Sequence, residues 1–90
     1  MPTVERHVQI QNKHGLHARP AAEMVKAAAR FQSDVTITRD EMEVNGKSIM
    51  GVMMLAAEHG ATITIRAAGP DAEEAVAALE ALVNSKFGER

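Results

Sequence analysis

From Val4 to Gln11 the chain alternates with a period of two. Val4, Arg6, Val8 and Ile10 fall on one side, and Glu5, His7, Gln9 and Gln11 on the other. This pattern predicts a half-buried strand. The period then lengthens. Ala21, Met24, Val25 and Ala28 recur at i, i+3, i+4 and i+7, which predicts a helix from about Ala18 to Phe31 with Pro20 in its first turn. Proline is tolerated there because the first amides of a helix have no intrahelical acceptor. Val35 and Ile37 alternate with threonines, Arg39-Asp40-Glu41 turns the chain, and Met42 and Val44 follow, a hairpin closed by Asn45-Gly46. Ser48 is suited to cap a short helix carrying Ile49, Val52, Met53 and Leu55, which stops near Gly60. Ala61, Ile63, Ile65 and Ala67 form a last strand. Pro70-Asp71 then opens a helix with Glu73 and Glu74 at its positive end and a stripe of Ala72, Ala75, Val76, Leu79, Leu82 and Val83.

The order strand, helix, strand, strand, helix, strand, helix predicts an α+β domain with helices on one face of an antiparallel sheet. A ferredoxin-like βαββαβ arrangement is the alternative, because element order alone does not say which strands pair. Ninety residues, 46% of them hydrophobic, make one domain over 1–90. Ten basic and twelve acidic residues give a formal net charge of −2, which favours neither nucleic acid nor an anionic membrane as partner. With no cysteine, disulfides and thiolate metal sites are excluded. The opening Met-Pro-Thr-Val-Glu-Arg lacks the apolar core of a signal peptide, so a cytoplasmic location is expected.

The candidate chemistry lies in Gly15-Leu16-His17-Ala18-Arg19-Pro20, which sets an imidazole and a guanidinium at a helix start. Free amides and the positive pole of the helix stabilise an anion there. A neutral imidazole nitrogen is a nucleophile near pH 7, and Arg19 adds charge-assisted donors to a phosphoryl group carried on it. A histidine and an arginine at such a place also serve as caps or solvated surface groups, and spacing alone does not choose. His7, His14, His17 and His59 fall on separate elements, so no metal is expected. Nor is there a glycine-rich phosphate cradle or convergent carboxylate pair of a self-sufficient enzyme.

The string Gly15-Leu16-His17-Ala18-Arg19-Pro20-Ala21 resembles the active-site signature of the histidine-containing phosphocarrier proteins, HPr, of the bacterial phosphoenolpyruvate-dependent phosphotransferase system. Asn45-Gly46-Lys47-Ser48-Ile49-Met50-Gly51-Val52-Met53 resembles that family's regulatory serine segment, and the likeness extends over essentially all 90 residues. The resemblance implies an open-faced β-sandwich, βαββαβα, with a four-stranded antiparallel sheet and three helices on one face. It implies a carrier rather than an enzyme, without cofactor. His17 would accept a phosphoryl group on Nδ1 from phospho-Enzyme I and pass it to an Enzyme IIA-type domain, and Arg19 would hold the phosphate. Ser48 would be the target of an HPr kinase/phosphorylase, with a regulatory partner reading the modified form. Leu16, Ile49, Met50 and Met53 would contribute an apolar docking patch on a monomeric protein.

Helical spacing puts Ile49 and Met53 on one face and Met50 and Met54 on another, so the two faces are not expected to be equally buried. Sugar-system relatives usually carry a small polar residue where this chain has His14, and a serine or glycine is commoner at Met54. The segments around Asn12-Lys13 and Ala81–Phe87 look more like the nitrogen-related branch, NPr, whereas the Ser48 segment looks more like the kinase-regulated branch. The alternatives are therefore an NPr-like regulatory phosphorelay protein, or a non-carrier interaction domain regulated through Ser48.

Overall fold

The computed structural model describes residues 2–89. Among them the elements are β1 (Thr3–Gln9), α1 (Ala18–Ala29), β2 (Asp34–Arg39), β3 (Met42–Asn45), α2 (Ile49–Met54), β4 (Thr62–Ala68) and α3 (Ala72–Asn84), with a short 3-10 segment at Lys86–Gly88. The strands form one antiparallel sheet in the order β1-β4-β2-β3. β4 lies inside it. Thr3 pairs with Ala68 and Gln9 with Thr62 on one side, while Asp34 pairs with Ala68 and Thr38 with Thr64 on the other. With β1 at an edge beside β4, the ferredoxin-like alternative is set aside and the open-faced arrangement stands.

Strand alternation sorts the two faces of the sheet. Val8, Val35, Ile37, Ile63, Ile65 and Ala67 are buried on the inner face, where the helices lie. The outer face carries His7, Thr36, Thr38, Thr62, Thr64 and Arg66, and His7 Nδ1 lies 2.8 Å from Thr64 Oγ1 across the β1–β4 pair. A face that hydrogen-bonds to itself and to water needs no cover, so one layer of helices suffices. Ala21, Met24 and Ala28 of α1 and Ala72, Ala75, Val76, Leu79 and Val83 of α3 complete the core. Their alanines let the backbones approach closely.

Several expectations are corrected in detail. Arg6 shares the inward phase with Val4 and Val8 but is exposed, because an edge strand lets a long charged side chain reach solvent. α1 ends at Ala29 rather than Phe31. The amides of Arg30 and Phe31 bond to Ala27 and Ala28, three residues back, which tightens the last turn. Val25 and Leu82 are half-buried at the margin of the core. Asp71 stands before α3, yet its carboxylate does not cap that helix. It accepts from the Gln32 amide at 2.9 Å and from the Ser33 amide and hydroxyl at 2.9 and 2.6 Å, tying the start of α3 to the loop before β2.

The C-terminal tail is the feature that period analysis missed. After α3, Lys86 and Phe87 both take left-handed backbone, with φ of 60° and 55°, and Gly88 follows at 75°. Non-glycine residues in that region cost on the order of 1 kcal/mol or more each, and the conformation persists when the surroundings over-determine it. Here burial of the Phe87 ring in the core supplies the constraint. The turn sends Glu89 back toward the loop between β1 and α1.

Candidate functional site

His17 is the N-cap residue of α1, with extended backbone (φ −76°, ψ −173°). Its carbonyl accepts the first helical bond, from the Ala21 amide at 3.0 Å. The amides of Ala18 and Arg19 precede that bond and Pro20 has none, so two donors face out of the helix end without an intrahelical partner. The His17 side chain makes no cap hydrogen bond and is 42% exposed. Arg19 is also exposed, while Pro20 and Ala21 are buried and anchor the turn beneath them.

The loop leading into α1 is rigidly held. Gly15 has φ +66°, and a Cβ there would collide with the Ala57 carbonyl oxygen and the Glu58 backbone, so only glycine fits. Leu16 donates its amide to the Ala57 carbonyl at 2.8 Å. Its side chain is a core residue, 4% exposed, which removes Leu16 from the docking patch expected for it. A loop that pins its backbone to Ala57 turns the next apolar side chain inward.

Asn12 and Glu89, neither singled out as site residues from the sequence, complete the arrangement. Asn12 is 1% exposed, and its Nδ2 donates to the Gly15 carbonyl at 2.7 Å and to Glu89 Oε1 at 3.1 Å. The other carboxylate oxygen, Glu89 Oε2, lies 3.0 Å from His17 Nε2. The Glu89 side chain is 16% exposed. Burial pushes its carboxyl upward, but the hydrogen bonds from Asn12 and His17, with the nearby imidazole and the Arg19 guanidinium, outweigh burial and hold it below the usual carboxylate range. His14 stands edge-on to His17, the ring centroids 5.9 Å apart at 89°. His7, by contrast, lies on the outer sheet face and His59 in the turn before β4, so the four histidines do not converge.

The second candidate segment lies on α2, which packs against α1. Ser48 is its N-cap, and Oγ accepts from the Gly51 amide at 3.1 Å. Only Val52 of this helix is buried, with Leu55 just beyond it. Ile49, Met50, Met53 and Met54 are 44%, 72%, 40% and 64% exposed. Both of the expected faces are therefore open, since a six-residue helix covered on one side buries little more than a single side chain. That leaves four exposed apolar side chains on α2.

Residues 4–85 match the family described as the PTS HPr component phosphorylation site. The chain belongs to the HPr family of phosphocarrier proteins. It is 49% identical to the phosphocarrier protein HPr of Cupriavidus necator over 86 residues, covering 96% of this chain and 97% of that one. It is 42% identical to the phosphocarrier protein NPr of Shewanella violacea over 89 residues, covering 99% and 98%. Among solved structures, HPr from Thermoanaerobacter tengcongensis superposes with a TM-score of 0.93 at 47% identity, covering 97% of this chain and 98% of that one. The open-faced fold inferred above is thus the HPr fold. HPr and NPr relatives both align along nearly the full chain, so family membership is common to the two branches.

Proposed function

We propose that this chain is a cytoplasmic, monomeric phosphocarrier of the phosphotransferase system, accepting a phosphoryl group on His17 from phospho-Enzyme I and passing it to an Enzyme IIA-type domain. The observation that carries this reading is the exposed His17 ring at the open end of α1, with Nε2 engaged by Glu89 and the Ala18 and Arg19 amides unpaired within the helix. An ionised carboxylate only accepts hydrogen bonds, so Nε2 carries the proton and the neutral ring keeps its lone pair at Nδ1. In the transfer this pair forms the Nδ1–P bond, while the pair of the donor's bond to phosphorus leaves with the donor. The helix amides and the Arg19 guanidinium meet the phosphoryl oxygens. The reverse displacement hands the group on.

The exposed Ile49, Met50 and Met53 of α2 form the docking patch in this reading, and unbranched methionines suit a surface that must meet two partners in turn. Release requires that docking stay weak. Ser48 is the regulatory site, phosphorylated by an HPr kinase/phosphorylase. A dianion placed beside this patch would disturb docking of an acidic or apolar partner face and slow acceptance from Enzyme I. An NPr-like regulatory phosphorelay is the second reading, supported by the NPr relative that matches along nearly the whole chain, and it differs in the partners that donate and accept the phosphoryl group.

Incubation with phosphoenolpyruvate and Enzyme I, followed by intact mass before and after mild acid, tests the carrier role. The expected result is one acid-labile phosphoryl adduct that is absent from His17→Ala. No adduct on the folded protein, with an Enzyme I active on another carrier, overturns the reading.

A further inference from the structure

The environment of the His17 ring contains more than a carrier's acceptor atom. Asn12 is buried, and one of its polar atoms, Oδ1, has no partner among the described residues. An unpaired buried acceptor is costly, so something must hold the amide in this orientation. Flipping it would turn Oδ1 toward the Gly15 carbonyl and the Glu89 carboxylate, both acceptors, and would lose two hydrogen bonds to gain none. The Gly15 carbonyl is in turn fixed by a left-handed glycine packed against Ala57 and Glu58. The direction of each hydrogen bond is therefore fixed: Asn12 Nδ2 donates to the Gly15 carbonyl at 2.7 Å and to Glu89 Oε1 at 3.1 Å, which leaves Glu89 Oε2 to accept from the ring Nε2 at 3.0 Å.

We propose that Glu89, oriented by Asn12, is a positioning residue that locks His17 in the Nε2–H form and so assigns the phosphoryl group to Nδ1. The relay rests on the carrier reading for its purpose, though its existence can be tested without it. When the Nδ1 lone pair takes phosphorus, Nε2 keeps its proton and the ring becomes cationic. Glu89 then faces a developing positive charge, as a carboxylate behind a catalytic histidine does. The contact thus strengthens during transfer, and it offsets the left-handed turn that brings the tail to the site.

The test is the ¹⁵N spectrum of the His17 ring in the unphosphorylated protein at pH about 9, where an ordinary histidine is neutral. Glu89→Gln is the informative variant. Its carbonyl must face the Asn12 donor, so its NH₂ faces the ring and calls for an unprotonated Nε2. The wild type is expected almost wholly as Nε2–H, Glu89→Gln shifted several-fold toward Nδ1–H, and Glu89→Ala at the ratio of a solvent-exposed histidine. Phosphorylation of Glu89→Gln by Enzyme I should slow on the order of tenfold, with more loss than in Glu89→Ala. Tautomer ratios unchanged across the three folded proteins overturn the relay. A shifted ratio with an unchanged transfer rate overturns its role in transfer. Failure of wild type to accept phosphate leaves the spectral result standing and falls on the carrier reading instead.

Discussion

At the scale of single residues, the site assigns separate tasks to side chains that lie next to one another. In the proposed carrier His17 supplies the lone pair, Glu89 and Asn12 orient the ring, Pro20 holds the first turn of α1 in the core, and the exposed Arg19 brings a charge to the helix mouth. Arg19 is exposed, so its removal leaves packing intact and isolates its electrostatic contribution. Arg19→Ala is expected to keep the wild-type melting temperature and to accept phosphate about 10- to 100-fold more slowly, the loss of one or two charge-assisted hydrogen bonds at the transition state. Rapid-quench transfer from phospho-Enzyme I measures this. An unchanged rate would remove Arg19 from the site.

At the scale of elements, the two helices at the site end differently, and the difference matters for what each can do. α1 begins with unpaired amides and a ring that is held at Nε2 by Glu89 and does not cap the helix, whereas α2 begins with a serine whose Oγ already accepts from the Gly51 amide. The far end of α2 is held as well. Arg39 donates to the carbonyls of Leu55 and Ala56 at 3.1 and 2.6 Å and to Glu58 at 2.8 Å, placing a cation at the negative pole of the helix. The Glu58 carboxyl is held below its ordinary range, first by its backbone hydrogen bond and then by Arg39. Ser48→Ala should therefore cost about 1 kcal/mol, the usual value of a lost N-cap, and lower the melting temperature by roughly 4–8 °C. Calorimetry on the unmodified protein gives the number. Because α2 packs on α1, the same variant also shows whether loosening α2 changes acceptance at His17.

At the scale of the whole molecule, carboxylates join segments far apart in the chain. Asp71 ties α3 to the loop before β2, Glu58 meets Arg39, and Glu89 closes the tail onto Asn12 and His17. In Asp71 the Ser33 hydroxyl and then the Gln32 amide hold the carboxyl below the ordinary aspartate range. A carboxyl depressed in the folded state stabilises the fold above its unfolded pKa and loses that contribution as pH falls through the folded value. The melting temperature should accordingly be level near neutrality and fall steeply below about pH 4. In Asp71→Asn it should be lower at pH 7 and decline less toward acid, because an uncharged amide that can accept with only one oxygen replaces a carboxylate accepting three bonds. Parallel slopes for the two proteins would show that Asp71 does not contribute to the acid limb.

Much of this protein could be read from periodicity and turn chemistry. Each strand and helix was visible because burial on one face imposes a period of two or near 3.6 on the residues that face the core, and Gly15-Leu16-His17-Ala18-Arg19-Pro20 marked the site because a helix start, an imidazole and a guanidinium meet within one turn. Strand pairing was open to two arrangements, since alternation says which face is buried and nothing of which neighbour is bonded. The inward turn of Leu16, the exposure of both faces of α2 and the arrival of Glu89 beside His17 depend on contacts with Ala57, on what covers a short helix, and on the buried Phe87 ring. None of these leaves a local pattern. By itself the sequence determined the elements, the fold class and the family, and it offered His17 as the candidate acceptor. Only the tertiary structure decided which nitrogen of that acceptor is held and by what, because a hydrogen bond between residues 17 and 89 exists only after the chain has folded back on itself.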